Sequence, residues 1–351
     1  MRTISVGLGA RSYPIIIGTG LVDRLGDHLP GNGKIAVIST PIINDLYGYL
    51  LESIGRDIEL ILVPDGEEAK TWETVEETLG KLLECGLDRK STIVALGGGT
   101  VGDLAGFVAS IYMRGIDVVQ VPTTLLGMVD SAIGGKTAVN HPKGKNLVGS
   151  FHQPSKVIID PLFLKSLPDR EVRSGMAETV KYGVISDKVI FQIIEETPIA
   201  DLEPETMVEI IARCAAIKAK LVEQDERDDK GIRASLNYGH TTGHSIETLS
   251  KHGVNHGEGV AIGMNVAALI AEEMGMVGSE MRARLERLLN KIGLPFNVPD
   301  ISIEEMVEVM HRDKKAEDGR IRFVLPTGIG EEPVLRYISE ETIASALREL
   351  Q

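Results

Sequence analysis

The chain has 351 residues, of which 43% are hydrophobic and 25% charged, and a formal net charge of -14. That length and ordinary hydrophobic content support two globular domains. The acidic balance excludes nucleic acid or an anionic membrane as a partner held by bulk attraction, so an anionic ligand would need a local basic pocket.

Residues 4–8 and 13–18 are strand-like and joined by a short turn, which predicts an antiparallel hairpin. Further β-branched runs at 34–39, 58–64, 91–97, 117–122 and 156–160 alternate with helical patterns. The clearest helix is 71–85, with Trp72, Val75, Leu79, Leu82 and Leu83 assigned to one face. Nearly all-apolar strands alternating with helices imply a mostly parallel sheet covered on both faces. After Pro168 the strands nearly vanish. Residues 169–185, 188–196, 204–226, 241–250, 259–274, 279–292 and 303–312 read as helices, and 321–325 with 334–337 as a small hairpin. The expectation is an α/β domain over residues 1–168 and a mainly helical domain over 169–351, with the site in the cleft between them.

The two cysteines, Cys85 and Cys214, are too few for a disulfide framework and lack zinc-type spacing. They read as buried free thiols of a reducing compartment. No signal peptide is evident, and no apolar run approaches the roughly 20 residues of a membrane span. The expected location is the cytoplasm.

Gly97-Gly98-Gly99-Thr100-Val101-Gly102-Asp103 follows an apolar strand and enters a helix over 104–112. Gly97, Gly99 and Gly102 satisfy G-x-G-x-x-G in the right context, where glycines admit a pyrophosphate to the helix N-terminus. A tight strand–helix turn would use the same residues. The next strand closes on Val121-Pro122-Thr123-Thr124 and not on the acidic residue of an ordinary dinucleotide fold; Asp117 begins that strand. The loop therefore suggests a nucleotide site outside the ordinary dehydrogenase pattern.

Lys136, Lys143, Lys145 and Asn146 lie among glycines in an expected loop. Lys143 reads as solvated surface. The Gly-Lys context of Lys136 and Lys145 suggests contact with phosphate or carboxylate. Arg114, Lys181, Lys218, Arg233, Lys314 and Lys315 are further cations to consider.

Four of the eight histidines, His240, His244, His252 and His256, fall within seventeen residues. Imidazole is a common ligand for transition metals. His240 and His244 share a helical face, and position 241 is Thr, which excludes the H-E-x-x-H protease pattern. Two histidines with one carboxylate make a catalytic divalent site. Spacing alone leaves Glu178, Glu247, Glu258 and Asp225 as candidates for the carboxylate.

The segments Gly97–Ala109, Tyr112-Met113-Arg114-Gly115, 121–126, 135–140, 144–149, 177–183, 236–244 and Arg312-Asp313-Lys314-Lys315 occur together, in collinear order through nearly the whole chain. As a set they resemble the 3-dehydroquinate synthase family of sugar-phosphate cyclases. The resemblance implies a carbon–oxygen lyase of the shikimate pathway that uses NAD+ and one divalent metal ion, Zn2+ or Co2+. It implies Glu178, His240 and His256 as metal ligands. NAD+ contacts would fall on Asp65, Gly66, Glu67, Glu68 and Lys70, on Gly99, Thr100, Val101, Gly102 and Asp103, on Thr123 and Thr124, on Lys136 and Lys145, and on Phe163, Leu164, Lys165 and Ser166. Substrate contacts would fall on Arg114, Asp130, Lys136, Asn146, Lys181, Lys218, Arg233, Asn237, His244, Lys314 and Lys315. His244, Lys136, Asp130 and Lys181 are the implied catalytic groups. A homodimer is implied, with Arg233 reaching into the partner subunit.

The chain departs from the family pattern at three places. Pro41 stands where an adenosine-side Asp or Asn is usual. The stretch before Arg233 is one residue longer, which leaves Lys220 as an alternative to Lys218. Gly259 stands where Ala is common after His256-Gly257-Glu258. The expected reaction converts 3-deoxy-D-arabino-heptulosonate 7-phosphate to 3-dehydroquinate and phosphate. It runs through transient oxidation, phosphate elimination, re-reduction and aldol closure. Two other readings are a related sugar-phosphate cyclase and a metal-dependent polyol dehydrogenase, which lacks the Gly-Lys-Thr and Gly-Lys-Asn segments.

Overall fold

The computed structural model describes residues 1–30, 33–55, 57–250, 253–313 and 320–351. The chain divides into two compact units. One is Met1–Pro168 with Glu203–Arg227, and the other is Asp169–Leu202 with Asp228–Gln351. The break after Pro168 coincides with the change of sequence character, but the long helix Pro204–Gln224 groups with the first unit. It packs on the opening strand pair there.

The first unit holds β1 (Arg2–Val6), β2 (Tyr13–Ile17), β3 (Ile35–Ser39), β4 (Ile58–Leu62), β5 (Thr92–Gly97), β6 (Asp117–Pro122), β7 (Lys136–His141), β8 (Gly144–Phe151) and β9 (Lys156–Ile159). Its α-helices are α1 (Leu25–His28), α2 (Pro41–Tyr47), α3 (Trp72–Glu84), α4 (Gly99–Ile111) and α7 (Pro204–Gln224). Seven strands form one sheet in the order β1-β2-β9-β6-β5-β3-β4. Only the β1–β2 pair is antiparallel, with Ile4 opposite Ile15. β3 and β5 are buried along their whole length, as continuous apolar runs in a covered parallel sheet should be. β4 closes one edge and leaves Leu60 and Leu62 exposed.

Three expectations for this unit are corrected. Residues 136–151 form the β7–β8 hairpin and not a loop. Their alternation is hidden by glycine and lysine, yet Thr137 and Val139 point inward and Gly149 lies against Thr137. On α3, Val75 and Leu82 are buried, but Trp72 is 53% exposed and Leu83 59% exposed. Leu83 follows Leu82 by one residue and so turns about 100° off the buried face. Cys85 is only partly buried, because it caps the C-terminus of α3; Cys214 is fully buried.

The second unit holds α5 (Asp169–Ile185), α6 (Lys188–Glu196), α8 (His240–Leu249), α9 (His256–Glu273), α10 (Ser279–Ile292), α11 (Ile303–Asp313) and α12 (Glu340–Glu349). An antiparallel hairpin, β10 (Arg320–Leu325) and β11 (Val334–Ser339), completes it. α9 is its central helix, buried almost throughout and touching α5, α8, α10 and α12. Glycines set its approach to two neighbours. A Cβ on Gly263 would lie 1.9 Å from the Gly239 carbonyl oxygen, and one on Gly243 would lie 2.8 Å from the Gly259 carbonyl carbon. On the α5 side, a Cβ on Gly257 would lie 2.3 Å from the Ser174 oxygen. Among the described residues, no helix is long and apolar enough to cross a membrane.

This backbone contact has a measurable consequence. Gly263→Ala should destabilise the protein by about 1–3 kcal/mol or more, because the obstacle is backbone and cannot rotate away. Urea unfolding should show a lower midpoint; an unchanged midpoint would mean that α8 and α9 do not approach this closely.

Candidate active site

The helical unit brings one carboxylate and two imidazoles together. Glu178 comes from the middle of α5, His240 opens α8 and His256 opens α9. One donor atom from each lies within 4.8 Å of the other two, and they are the only such group found among the described residues. Glu178 Oε1 is 3.4 Å from His240 Nε2 and 3.2 Å from His256 Nε2. Its Oε2 pairs with the Nζ of Lys181, one helical turn along, and both side chains are almost completely buried.

The close helix packing has local sequence causes. His256 stands at the first position of α9, three residues earlier than the apolar pattern predicts. A capping box places it there: the Asn255 side chain accepts from the Glu258 amide, and Glu258 accepts from the Asn255 amide. Arg170 grips both Glu258 oxygens at 2.8 Å and the Gly253 carbonyl, so the start of α9 is tied to α5. Glu258 is thereby used in the cap. Glu247, on α8, places Oε2 3.4 Å from His256 Nδ1. It backs the imidazole in the way that a carboxylate orients a metal-binding histidine. Asp225, the remaining candidate, belongs to the first unit.

The protonation pattern fits a cation. His240 Nδ1 lies 3.1 Å from the Tyr238 carbonyl oxygen, which only accepts, so Nδ1 carries the hydrogen. Burial, with the Lys181 charge adding to it, holds the His240 pKa well below its ordinary value. Nε2 is then a bare lone pair aimed at a carboxylate oxygen. Two lone pairs face each other there, an arrangement that a divalent ion between them relieves. For His256, burial lowers the pKa, but hydrogen bonds to Glu178 and Glu247 overcome this and push it up to about 9. A proton therefore occupies His256 near neutral pH, where a metal ion would replace it.

His244 lies beside the donor set, its ring 5.3 Å from that of His240 and 6.1 Å from that of His256. Arg233 is buried and Asn237 half-buried, on the 3-10 turn Ile232–Asn237 that leads into α8. His252, Lys314 and Lys315 lie outside the described residues.

The α/β unit assembles a second group of the expected residues. α4 begins at Gly99, five residues before the expected helix start, so Gly102 and Asp103 lie in its first turns. Its N-cap is Gly98, with no side chain to close the free amides. A Cβ on Gly99 would sit 2.8 Å from Ser131 Oγ, and one on Gly102 2.7 Å from Gln120 Oε1. The hydroxyls of Thr123 and Ser131 are buried beside this turn and have no hydrogen-bond partner among the described residues. Uncapped amides and orphaned hydroxyls suit a phosphate-bearing cofactor.

Lys70, 3% exposed, donates to Asp103 Oδ2 at 2.7 Å and to the Asn146 side chain. Burial raises the Asp103 pKa, and the Lys70 charge opposes the rise. Asp65, Gly66, Glu67 and Glu68 form an exposed turn just before Lys70. Lys218 is buried and bonds the Asp130 carboxylate at 2.8 Å and its carbonyl at 2.6 Å, whereas Lys220 is exposed. Lys136 and Lys145 are exposed on the β7–β8 hairpin. Arg114 is exposed and left-handed at φ 69°, next to Met113 at φ 49°. Phe163 is buried edge-on against Tyr47 at 4.7 Å, and Ser166 bonds the Tyr47 hydroxyl; Leu164 is half-buried and Lys165 exposed. Thr124 accepts from the Gly127 amide at 3.1 Å.

Comparison with known proteins places the chain in a class. Across the whole chain the fold matches 2-deoxy-scyllo-inosose synthase, solved with carbaglucose-6-phosphate, NAD+ and Co2+, at a TM-score of 0.90 and 28% identity, covering 100% of both chains. It also matches a 2-epi-5-epi-valiolone synthase from Streptomyces hygroscopicus, solved with NAD+ and Zn2+, at 0.88 and 29%, covering 96% of each. An iron containing alcohol dehydrogenase from Thermococcus thioreducens shares the fold at 0.67 with 18% identity. The fold class is that of the dehydroquinate synthase-like sugar cyclases. Residues 38–174 match the 3-dehydroquinate synthase N-terminal family and residues 175–316 its C-terminal family. The 3-dehydroquinate synthase of Pelobacter propionicus is 46% identical over 98% of both chains, and that of Geobacter metallireducens 48% over 96% of each. The chain belongs to the 3-dehydroquinate synthase family.

The raised His256 pKa fixes the sign of a proton linkage. Below about pH 9 an entering ion must displace the His256 proton, so zinc binding near pH 7.5 should release about one proton. Apparent affinity should rise with pH and level off above that value. Calorimetry in buffers of different ionisation enthalpy measures the release; zinc binding without it would show that His256 keeps its proton and is no ligand.

Proposed function

We propose that the chain converts 3-deoxy-D-arabino-heptulosonate 7-phosphate to 3-dehydroquinate and inorganic phosphate, as a carbon–oxygen lyase. The observation that carries this reading is the convergence of Glu178, His240 and His256 beside a buried Lys181, in a chain of this family. Identities of 44–48% to dehydroquinate synthases, against 28–29% to the two other cyclases, favour this substrate over theirs. In this reading the first unit binds NAD+, and Glu178, His240 and His256 of the second hold one divalent ion, zinc or cobalt. The working form is a cytoplasmic homodimer.

When bound, NAD+ supplies a hydride acceptor that returns the hydride, and the divalent ion supplies a Lewis acid for a substrate hydroxyl. The protein's own groups do the rest. Glu178 balances the charge of Lys181, so the buried ammonium stays oriented within reach of an anionic substrate. Lys218, fixed at two points by Asp130, offers a second preorganised cation. Lys136, Lys145, Arg114 and Asn146 line the substrate and cofactor phosphates and carboxylate. A cation held in advance by its own neighbours, as Lys218 is by Asp130, would lower the cost of the charge that develops on a departing phosphate. His244, adjacent to the donor set but not part of it, holds and passes the proton at its ring nitrogen. Arg233, buried within its own chain and not extended toward a partner subunit, carries the guanidinium fork that suits a substrate carboxylate, and Asn237 lies on the same turn.

The test measures phosphate and NADH together. With zinc, catalytic NAD+ and the heptulosonate phosphate, the protein should release phosphate through many turnovers while absorbance at about 340 nm returns to its starting value. Net NADH accumulation in proportion to substrate consumed would identify a dehydrogenase instead.

A further inference from the structure

Asn140, the penultimate residue of β7, is half-buried and carries none of the roles assigned above. It nonetheless bonds three residues that do. Its backbone amide donates to the Lys70 carbonyl at 2.7 Å. Its side-chain Nδ2 donates to Glu67 Oε2 at 2.7 Å, and its Oδ1 accepts from the Asn146 amide at 3.1 Å. Asn146 is left-handed, at φ 57°, a conformation that asparagine adopts more readily than other side chains and that the bond from its amide to Asn140 holds in place. The Asn146 side chain in turn accepts from Lys70 Nζ, which also bonds Asp103 in the first turns of α4. The bonds form a closed circuit: Lys70 carbonyl to Asn140, Asn140 to Asn146, Asn146 back to the Lys70 ammonium.

We infer that Asn140 is a positioning residue that holds the cofactor-side turn of Glu67 and Lys70 in register with the substrate-side Asn146. The inference rests on the reading that those residues contact NAD+ and substrate. A side-chain amide satisfies both ends. Glu67 needs a donor and the Asn146 amide needs an acceptor, and Asn140 supplies one of each. A carboxylate would keep the acceptor but set a like charge against Glu67. An alanine would lose both arms and leave Asn146 free to relax out of its left-handed conformation.

The two arms can be separated by substitution. Asn140→Asp should raise the dissociation constant for NAD+ by roughly tenfold and the KM for substrate much less, since only the bond to charged Glu67 is lost. Asn140→Ala should raise both by roughly tenfold. NAD+ binding is measured by calorimetry, KM and kcat by phosphate release, and folding by melting temperature. A merely structural role would lower melting temperature and kcat together with no such split, and that result would overturn the inference, as would unchanged constants in both variants. If the wild-type protein itself bound no NAD+, the cofactor reading would fail, and the positioning claim with it. Wild-type binding with unaltered variants would remove the positioning claim alone.

Discussion

The site in the helical unit depends on how closely α8 and α9 pass. Gly239, Gly243, Gly259 and Gly263 leave no room for a Cβ at the crossing. His240 opens one helix and His256 the other, so this approach decides whether their Nε2 atoms can share one ion. Gly257 against Ser174 does the same for α5, which brings Glu178. The crossing is paid for in backbone freedom, and the return is three electron-pair donors meeting in a buried place.

Such a meeting is unfavourable by itself. Glu178 carries negative charge inside the protein, and an unpaired buried carboxylate costs several kcal/mol. Lys181 takes one of its oxygens, and the other faces the two imidazoles. His240 is locked by the Tyr238 carbonyl into the tautomer that presents a lone pair. Glu247 and the capping box fix the direction of His256. Binding an ion and folding the site are therefore linked problems, solved by the same neighbours.

Much of this was legible in the sequence. α6 and α10 fall where their periodicity puts them, because each carries a strong apolar stripe on one face; α5 falls where expected too, although it is buried all round from Ser174 to Ile185. The parallel sheet follows from apolar runs such as 92–97. The β7–β8 hairpin was not legible, since glycines and lysines mask the inward Thr137 and Val139. The position of α7 was hidden too: it follows the boundary at Pro168 in sequence yet packs on β1 and β2. For the site, clustering pointed to histidines, but spacing left four carboxylates open. Choosing among them needs the tertiary contact between α5 and α9, which is written as one glycine, Gly257, opposite Ser174. The start of α9 could have been read from Asn255 and Glu258, three residues apart, as a capping box.

Family membership rests on the whole chain, the ion on three side chains. Metal content measures the second most directly. After loading with zinc and dialysis, the wild-type protein should retain about one ion per chain, and Glu178→Ala, His240→Ala and His256→Ala almost none while still folded. If any of the three kept a full ion with unchanged affinity, the proposed centre would be wrong.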